Sequence, residues 1–411
     1  DGATVRSETG ILRVVTAGDA VVTGLSTGND GVAGMDGETH SVAVLSTAGN
    51  VRDGGDTRPD VIADTGNASL SLRAPMGHVG ADNPLDVDVR RLDASARDAI
   101  QITARSSVDV GAVEAGLEVG LAVTGSLSGS SVRSTAGPVS LAATGGVSLD
   151  SVQAAGSVGI SAGGPVTGTL VRSTGGAVTV ISAGAIDLTS ARAAGDIRMD
   201  AMAGLTAGTV ASSGGTVDLR AGADANVSDV AGQLGTTVTA GTSVVLGSAA
   251  SAGGDVAVRA GDDATVATGS ARGMLAVSSD RGDVTVGSVT ADAVQLEAPG
   301  DVTGTAMHVG SALRLAGARV SGSAFGGGRA VGGYVTGFAG AAADTVALTF
   351  AGAGGFSLGN FWAAGASVTI PAGTFGAANF RIGDRGLFGN PETLVLVDQH
   401  DKSIQAAVVQ L

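Results

Sequence analysis

Arg281, Gly282 and Asp283 lie at the centre of the stretch SSDRGDVTVGS, where a guanidinium and a carboxylate flank one glycine. This is the tripeptide that many extracellular proteins present to integrin-type receptors, and it is the one candidate receptor-binding site in the chain. Paired carboxylates are the second chemistry on offer. Asp262 with Asp263, Asp53 with Asp56, and Asp86 with Asp88 have the residue types that glycoside hydrolysis uses as acid and base. Such enzymes also need aromatic platforms for the sugar, and residues 1–324 contain no aromatic side chain at all. Hard-oxygen donors for calcium occur as Asn29, Asp30, Asp36 and Glu38 in GNDGVAGMDGE and as Asp53 and Asp56 in RDGGD. Neither group fits a twelve-residue calcium loop or a G-G-x-G-x-D repeat, so both read as solvated turn acids.

Other reaction classes lack their residues. The four histidines, His40, His78, His308 and His400, are far apart, which argues against a metal triad. No G-x-S-x-G elbow joins a strand to a helix, and the sole lysine, Lys402, follows His400 and Asp401 rather than a phosphate-binding loop. With no cysteine, disulfides and thiolate metal sites are excluded. The sequence therefore predicts a protein that is not an enzyme, with no catalytic residue, no metal and no cofactor. A net charge of -15 repels phosphate, so nucleic acid is not an expected partner.

What must position these residues is visible in the composition. The 411 residues include 69 glycines but only eight Phe, one Tyr and one Trp. The apolar content is Ala, Val, Leu and Ile, with abundant Thr and Ser, which suits many short strands joined by tight turns. No apolar run approaches the roughly 18 residues that a membrane-spanning helix needs. A chain that opens at Asp1 without Met reads as a processed or excised piece of a longer protein.

An internal repeat organises the chain. From Ala136 the units run AGPVSLAATGGVSLDSVQA, AGSVGISAGGPVTGTLVRST, GGAVTVISAGAIDLTSARA, AGDIRMDAMAGLTAGTVASS and GGTVDLRAGADANVSDVAGQ. Each holds a Gly turn, a V-x-L or V-x-V triplet, a second Gly turn, another triplet and a short third apolar run. Alternation with period two marks a strand with one buried face. Strands this short cannot bury that face alone and must stack on copies of themselves. The predicted fold is all-β, a right-handed parallel β-helix (β-solenoid) with coils of ~19–20 residues spaced as parallel strands are. Residues 1–135 read as irregular coils with a loop insertion around Ala81 to Pro84, in which Arg90 to Ala99 forms one helical turn or a protruding loop. Residues 136–324 are the regular repeats. The aromatic-containing, β-rich segment 325–411, joined through FGGGR, is either a cap over the last coil or a carbohydrate-binding tip.

The stretch SLSLRAPMGHVGADNPLDVDVRRLDASA, followed by the repeating coils, resembles the β-helical shaft of filamentous-haemagglutinin-like large bacterial exoproteins, over roughly residues 11–323. The resemblance implies a secreted or bacterial cell-surface adhesin rod that mediates attachment, aggregation or biofilm. It implies export through an outer-membrane transporter, by two-partner secretion or as an autotransporter passenger. The partners it implies are a host or cell-surface receptor or glycan, and the chain itself in end-to-end assembly. A β-helical carbohydrate-active enzyme and a self-assembling extracellular filament subunit are the alternatives.

The repeat also bears on the tripeptide. Gly254-Asp255-Val256, Gly300-Asp301-Val302 and Gly195-Asp196-Ile197 are the same turn entering a strand as Gly282-Asp283-Val284. Arg281 is the peculiar residue, standing where other coils have Gly253, Pro299 and Ala194.

Overall fold

The V-x-L triplets become strands and the Gly corners become the bends between them. The computed structural model describes residues 5–7, 11–28, 41–55, 58–63, 68–80, 83–317 and 319–326, and beyond these the strands Gly333–Ala339, Val346–Ala351, Phe356–Leu358, Ser367–Ile370 and Val395–Asp398. All described elements are strands, and the described pairings are parallel, so the chain is an all-β parallel solenoid. It winds about 14 turns across two compact units, Asp1–Thr209 and Val210–Leu411.

In the first unit Val119, Val139, Val158, Val178 and Ile197 lie side by side on successive coils, and Leu121, Leu141, Ile160, Val180 and Met199 form the next inward row. All ten are buried. One coil shows how the wall turns. The strand Val139–Ala143 buries alternate residues, and a bend at Thr144 to Gly146 leads into Val147–Ala154. There the buried set is Val147 and Leu149, then Val152 and Ala154, so the period-two pattern slips once at Asp150 and Ser151. Two consecutive outward residues form a corner without glycine, and the third apolar run of each repeat is the far half of this strand. Each coil therefore has three inward faces.

The earlier coils of this unit are longer. Leu12 pairs with Val42, Val42 with Leu70 and Leu70 with Leu92 before the spacing settles. The sequence Arg90 to Ala99, expected as a helical turn or loop, instead contains the strand Arg91–Ala96, which pairs on both sides. Its Leu92 and Ala94 are buried at the period-two spacing of a strand, and packing that face against neighbouring coils decides the outcome over local helical preference. The insertion around Ala81 to Pro84 is described from Asn83 onward.

The second unit repeats the grammar. Thr236, Val256, Leu275 and Val294 align, as do Val238, Val258, Val277 and Leu296. The described strands of the aromatic segment continue the parallel pairing, Val320 beside Val346 and Ser367 beside Val395. Whether that segment forms a cap or a tip lies outside the described residues.

The core consists of Val, Leu, Ile, Ala and Met in rows, each large one contributing about 1.5–3 kcal/mol when removed from water. Close approach between coils leaves some glycines irreplaceable. Gly129 sits within a strand at φ 138°, and a Cβ there would meet the Val110 carbonyl oxygen at 1.9 Å. Gly159, also mid-strand, has only the Val139 carbonyl oxygen, at 4.0 Å. Gly129→Ala should lower the urea midpoint, by at least about 1 kcal/mol of stability, and expose amides of Leu127–Ser134 to hydrogen exchange. Gly159→Ala should change neither.

Candidate corner site and buried acid pair

The tripeptide follows the buried Ser279, whose place in the repeat explains the corner. Ser46, Ser134, Ser173, Ser212, Ser251 and Ser279 are all buried, and each stands three residues before a glycine. In every case the serine Oγ accepts a hydrogen bond from that glycine's N–H, at 3.0 Å for Gly49, Gly137 and Gly254, 2.9 Å for Gly176 and 2.8 Å for Gly215 and Gly282. Several of these hydroxyls donate back one coil, Ser134 to the Leu117 carbonyl at 2.6 Å, Ser173 to that of Gly156 at 2.6 Å and Ser279 to that of Asp262. A buried hydroxyl at a bend is thereby satisfied in both roles. This S-x-x-G signal is present in the sequence, and reading only the apolar triplets passes over it.

Gly282 is thus the glycine of a corner staple. A Cβ on it would meet Asp263 Oδ1 at 2.1 Å, so the position calls for glycine for reasons of space. Asp283 is held on both sides. Its N–H donates to Asp263 Oδ1 at 2.9 Å, its carbonyl accepts from the Ala264 amide at 2.9 Å, and its Oδ1 accepts from the Asp301 amide at 2.7 Å. Arg281 Nε lies 2.9 Å from Asp262 Oδ1 and 3.1 Å from the Gly261 carbonyl. Its side chain is 65% exposed, so this ion pair is worth at most about 1 kcal/mol. A receptor would find the guanidinium within reach but would have to compete with the Asp301 amide for one oxygen of the carboxylate.

The same geometry recurs at Asp255, whose Oδ1 accepts from the Met274 amide at 2.7 Å, at Asp93 with the Ala112 amide at 2.8 Å, and at Asp19 with the Asn50 amide at 2.8 Å. At Asp224, the Thr242 hydroxyl at 2.5 Å and the Ser243 amide hold the carboxyl below the ordinary carboxylate value. These acids carry the turn of one coil onto the backbone of the next.

The other sequence candidates are dispersed. Asp262 and Asp263 are engaged as described above, Asp86 pairs with Arg105 at 2.7 Å, and Asp88 Oδ1 accepts from the Ser106 hydroxyl at 2.6 Å. His78 Nδ1 accepts the Ala99 amide at 3.2 Å, and its Nε2 lies 3.5 Å from Asp98. Asn29, Asp30, Asp36, Glu38, His40, Asp56 and His400 lie outside the described residues. Among the described residues, no three His, Asp or Glu side chains converge on a metal position. A shallow polar groove crosses three adjacent coils between Arg73, Asp93, Ser95 and Glu114, but Glu114 pairs with Arg133 and Asp93 serves the backbone.

One acidic site departs from the pattern. Asp60 is 0% exposed, immediately before the strand Val61–Ala63. Its N–H donates to the Asp86 carbonyl at 2.7 Å, its carbonyl accepts from Leu25 at 2.7 Å, and its Oδ2 accepts from the Asp86 amide at 2.9 Å. Oδ1 is buried and receives no donor of its own among the described residues, since the nearby Gly54 amide is given to the Val22 carbonyl at 2.7 Å. The Asp53 carboxyl stands against it, itself accepting from the Gly55 amide at 2.9 Å and from the Asn83 side-chain amide. Burial, then the neighbouring Asp53 charge and a hydrogen bond shared with the Asp53 carboxyl, push the Asp60 carboxyl up to about 7, against lowering by the Asp86 and Gly54 amides.

No protein-family model, curated protein or solved structure matches the chain. The parallel solenoid therefore rests on the pairing and burial of its own residues, and that architecture is consistent with a β-helical adhesin shaft.

The Asp60 shift has a definite sign. A carboxyl that holds its proton more tightly when folded favours the folded state at low pH, and this advantage is lost as pH rises from about 4 through about 7. In metal-free buffer, the stability of wild type relative to Asp60→Asn should fall over that window and stay level above it. A difference that is constant across the window in urea titrations would contradict the assignment.

Proposed function

We propose that this chain forms part of the β-helical shaft of a secreted or cell-surface bacterial adhesin, working in attachment, aggregation or biofilm. The observation that carries the reading is the in-register parallel solenoid, in which polar corner residues are spent on joining one coil to the next. Asp283, Asp263, Asp255, Asp93 and Asp19 each give a carboxylate oxygen to the backbone of a neighbouring coil. A wall built this way suits display and spacing, since each coil is held by backbone pairing and contributes little chemistry of its own. The resemblance of residues 69–96 and the coils after them to filamentous-haemagglutinin-like exoproteins supports the same reading. It also suggests passage through an outer-membrane transporter, and a receptor or glycan as partner.

A carbohydrate-active enzyme is the less favoured reading. Asp262 with Asp263 and Asp86 with Asp88 are tied to arginines, hydroxyls and backbone amides, with no aromatic residue before Phe325 to seat a sugar ring.

Beads coated with the purified chain should retain epithelial cells or bacteria above the level of albumin-coated beads, and polysaccharide incubated with the chain should keep its length. Equal retention on both beads, or release of oligosaccharide, would overturn the proposal. Asp283→Glu tests the tripeptide separately. Attachment should persist in this variant, because the carboxylate is occupied in stapling coils, and a loss of attachment with the fold intact would assign recognition to Arg281, Gly282 and Asp283.

A further inference from the structure

The acid pair of the first unit differs from the corner carboxylates in two ways. Asp60 is wholly buried, and one of its oxygens meets no donor among the described residues. The corner acids each have an amide or an arginine to face, while the neighbour of Asp60 is a second carboxyl, that of Asp53. Two carboxylates this close, one of them removed from water, coexist only with a proton or a cation between them. Among the described residues, the groups that act on Asp60 are the amides of Asp86 and Gly54 and the Asp53 carboxyl, and none of these is a cation.

The surroundings supply oxygen. Asn83 places its side-chain amide on the Asp53 carboxylate from the segment that enters the strand Leu85–Val89. The oxygen and nitrogen of such an amide exchange places by a half-turn of the group, which would present its carbonyl to a cation held by the two acids. Asp53 is thus flanked by Asp60, seven residues further along the chain, and by Asn83 of a later segment. The backbone of Asp60 is pinned from both sides, so its carboxyl is preorganised toward Asp53.

From this arrangement we propose that Asp53, Asp60 and Asn83 form a divalent-cation site, selective for calcium, that ties together the long coils of the first unit. Two carboxylates balance the charge of one divalent ion. A donor set made only of oxygen, with no thiolate or imidazole, selects a hard cation. Calcium accepts irregular coordination completed by water, whereas magnesium demands a near-ideal octahedron. The inference concerns the folding of these coils and is independent of the adhesin reading.

The test is calorimetric titration of calcium chloride, and separately magnesium chloride, into the full chain after dialysis against chelator, paired with thermal unfolding at each ion concentration. The expected result is one saturable calcium site per chain, with a dissociation constant on the order of 10⁻⁴ to 10⁻³ M as in extracellular calcium modules, and magnesium at least about tenfold weaker. The unfolding temperature should rise with calcium. Asp53→Asn and Asn83→Ala should each weaken calcium binding about tenfold or more. Both alter partly or fully exposed side chains, so they keep the test usable if Asp60→Asn fails to fold. Asp262→Asn, at an exposed acid pair, should bind as wild type does. Absence of saturable binding up to about 10 mM calcium would overturn the proposal. So would equal weakening in Asp262→Asn and Asp53→Asn, which would mark diffuse attraction to an acidic chain.

Discussion

Everything in this molecule depends on the backbone of one coil completing its hydrogen bonds on the next. A strand such as Val158–Ala162 finds its partners in Val139–Ala143 on one side and Val178–Ser182 on the other, both at coil spacing. Each amide is satisfied only when the neighbouring coil keeps register, because a slip of one residue would turn the valine row outward. The side chains follow from this constraint. Rows of like residues stack at the strand spacing of about 4.8 Å. A large aromatic ring would have to recur or leave a gap, which accounts for coils without Phe, Tyr or Trp up to residue 324.

The same constraint decides what the corners are made of. At a bend the chain leaves the ladder and some amides lose their strand partner. A buried serine three residues before a glycine takes up one of them, and an aspartate reaching to the next coil takes up another. Short side chains are suited to this because their oxygens lie close to the backbone. Acidic residues therefore accumulate along the corners of a stacked repeat, and part of the strong negative charge of the chain is a by-product of backbone satisfaction.

These points explain what was legible in the sequence. The period-two triplets and the Gly turns revealed the strands, their spacing and the parallel stacking, because burial of one face leaves its mark on every residue of a strand. The glycine-free corner at Asp150 and Ser151 was less visible, since it is marked only by two outward residues in succession. Arg90 to Ala99 misled because a charged stretch with alanines suits a helix locally, and only its pairing with Leu70 and Val110 makes it a strand. The approach of Asp60 and of Asn83 to Asp53 was illegible. The spans between these residues follow no repeat, so no periodicity predicts which of them face one another. Asp53 was visible as a possible oxygen ligand, but paired in sequence with Asp56 rather than with Asp60.

A regular solenoid has a consequence for where function can arise. In the coils after Val108 a buried charge would need a partner at each repeat or remain unpaired in a narrow interior, and the buried residues described there are apolar or hydroxyl-bearing. The first coils escape the rule because the chain between paired strands is longer, as from Leu12 to Val42 and from Val42 to Leu70. Longer spans bring residues from unrelated positions against one another, and the one fully buried aspartate among the described residues lies there. The tripeptide at Arg281 to Asp283 shows the converse. It matches a recognition motif but sits at a corner shared with other coils, so its glycine and carboxylate are already explained by stacking. In such a fold, departure from the ladder is a better guide to chemistry than resemblance to a motif, because the ladder itself accounts for residues that recur.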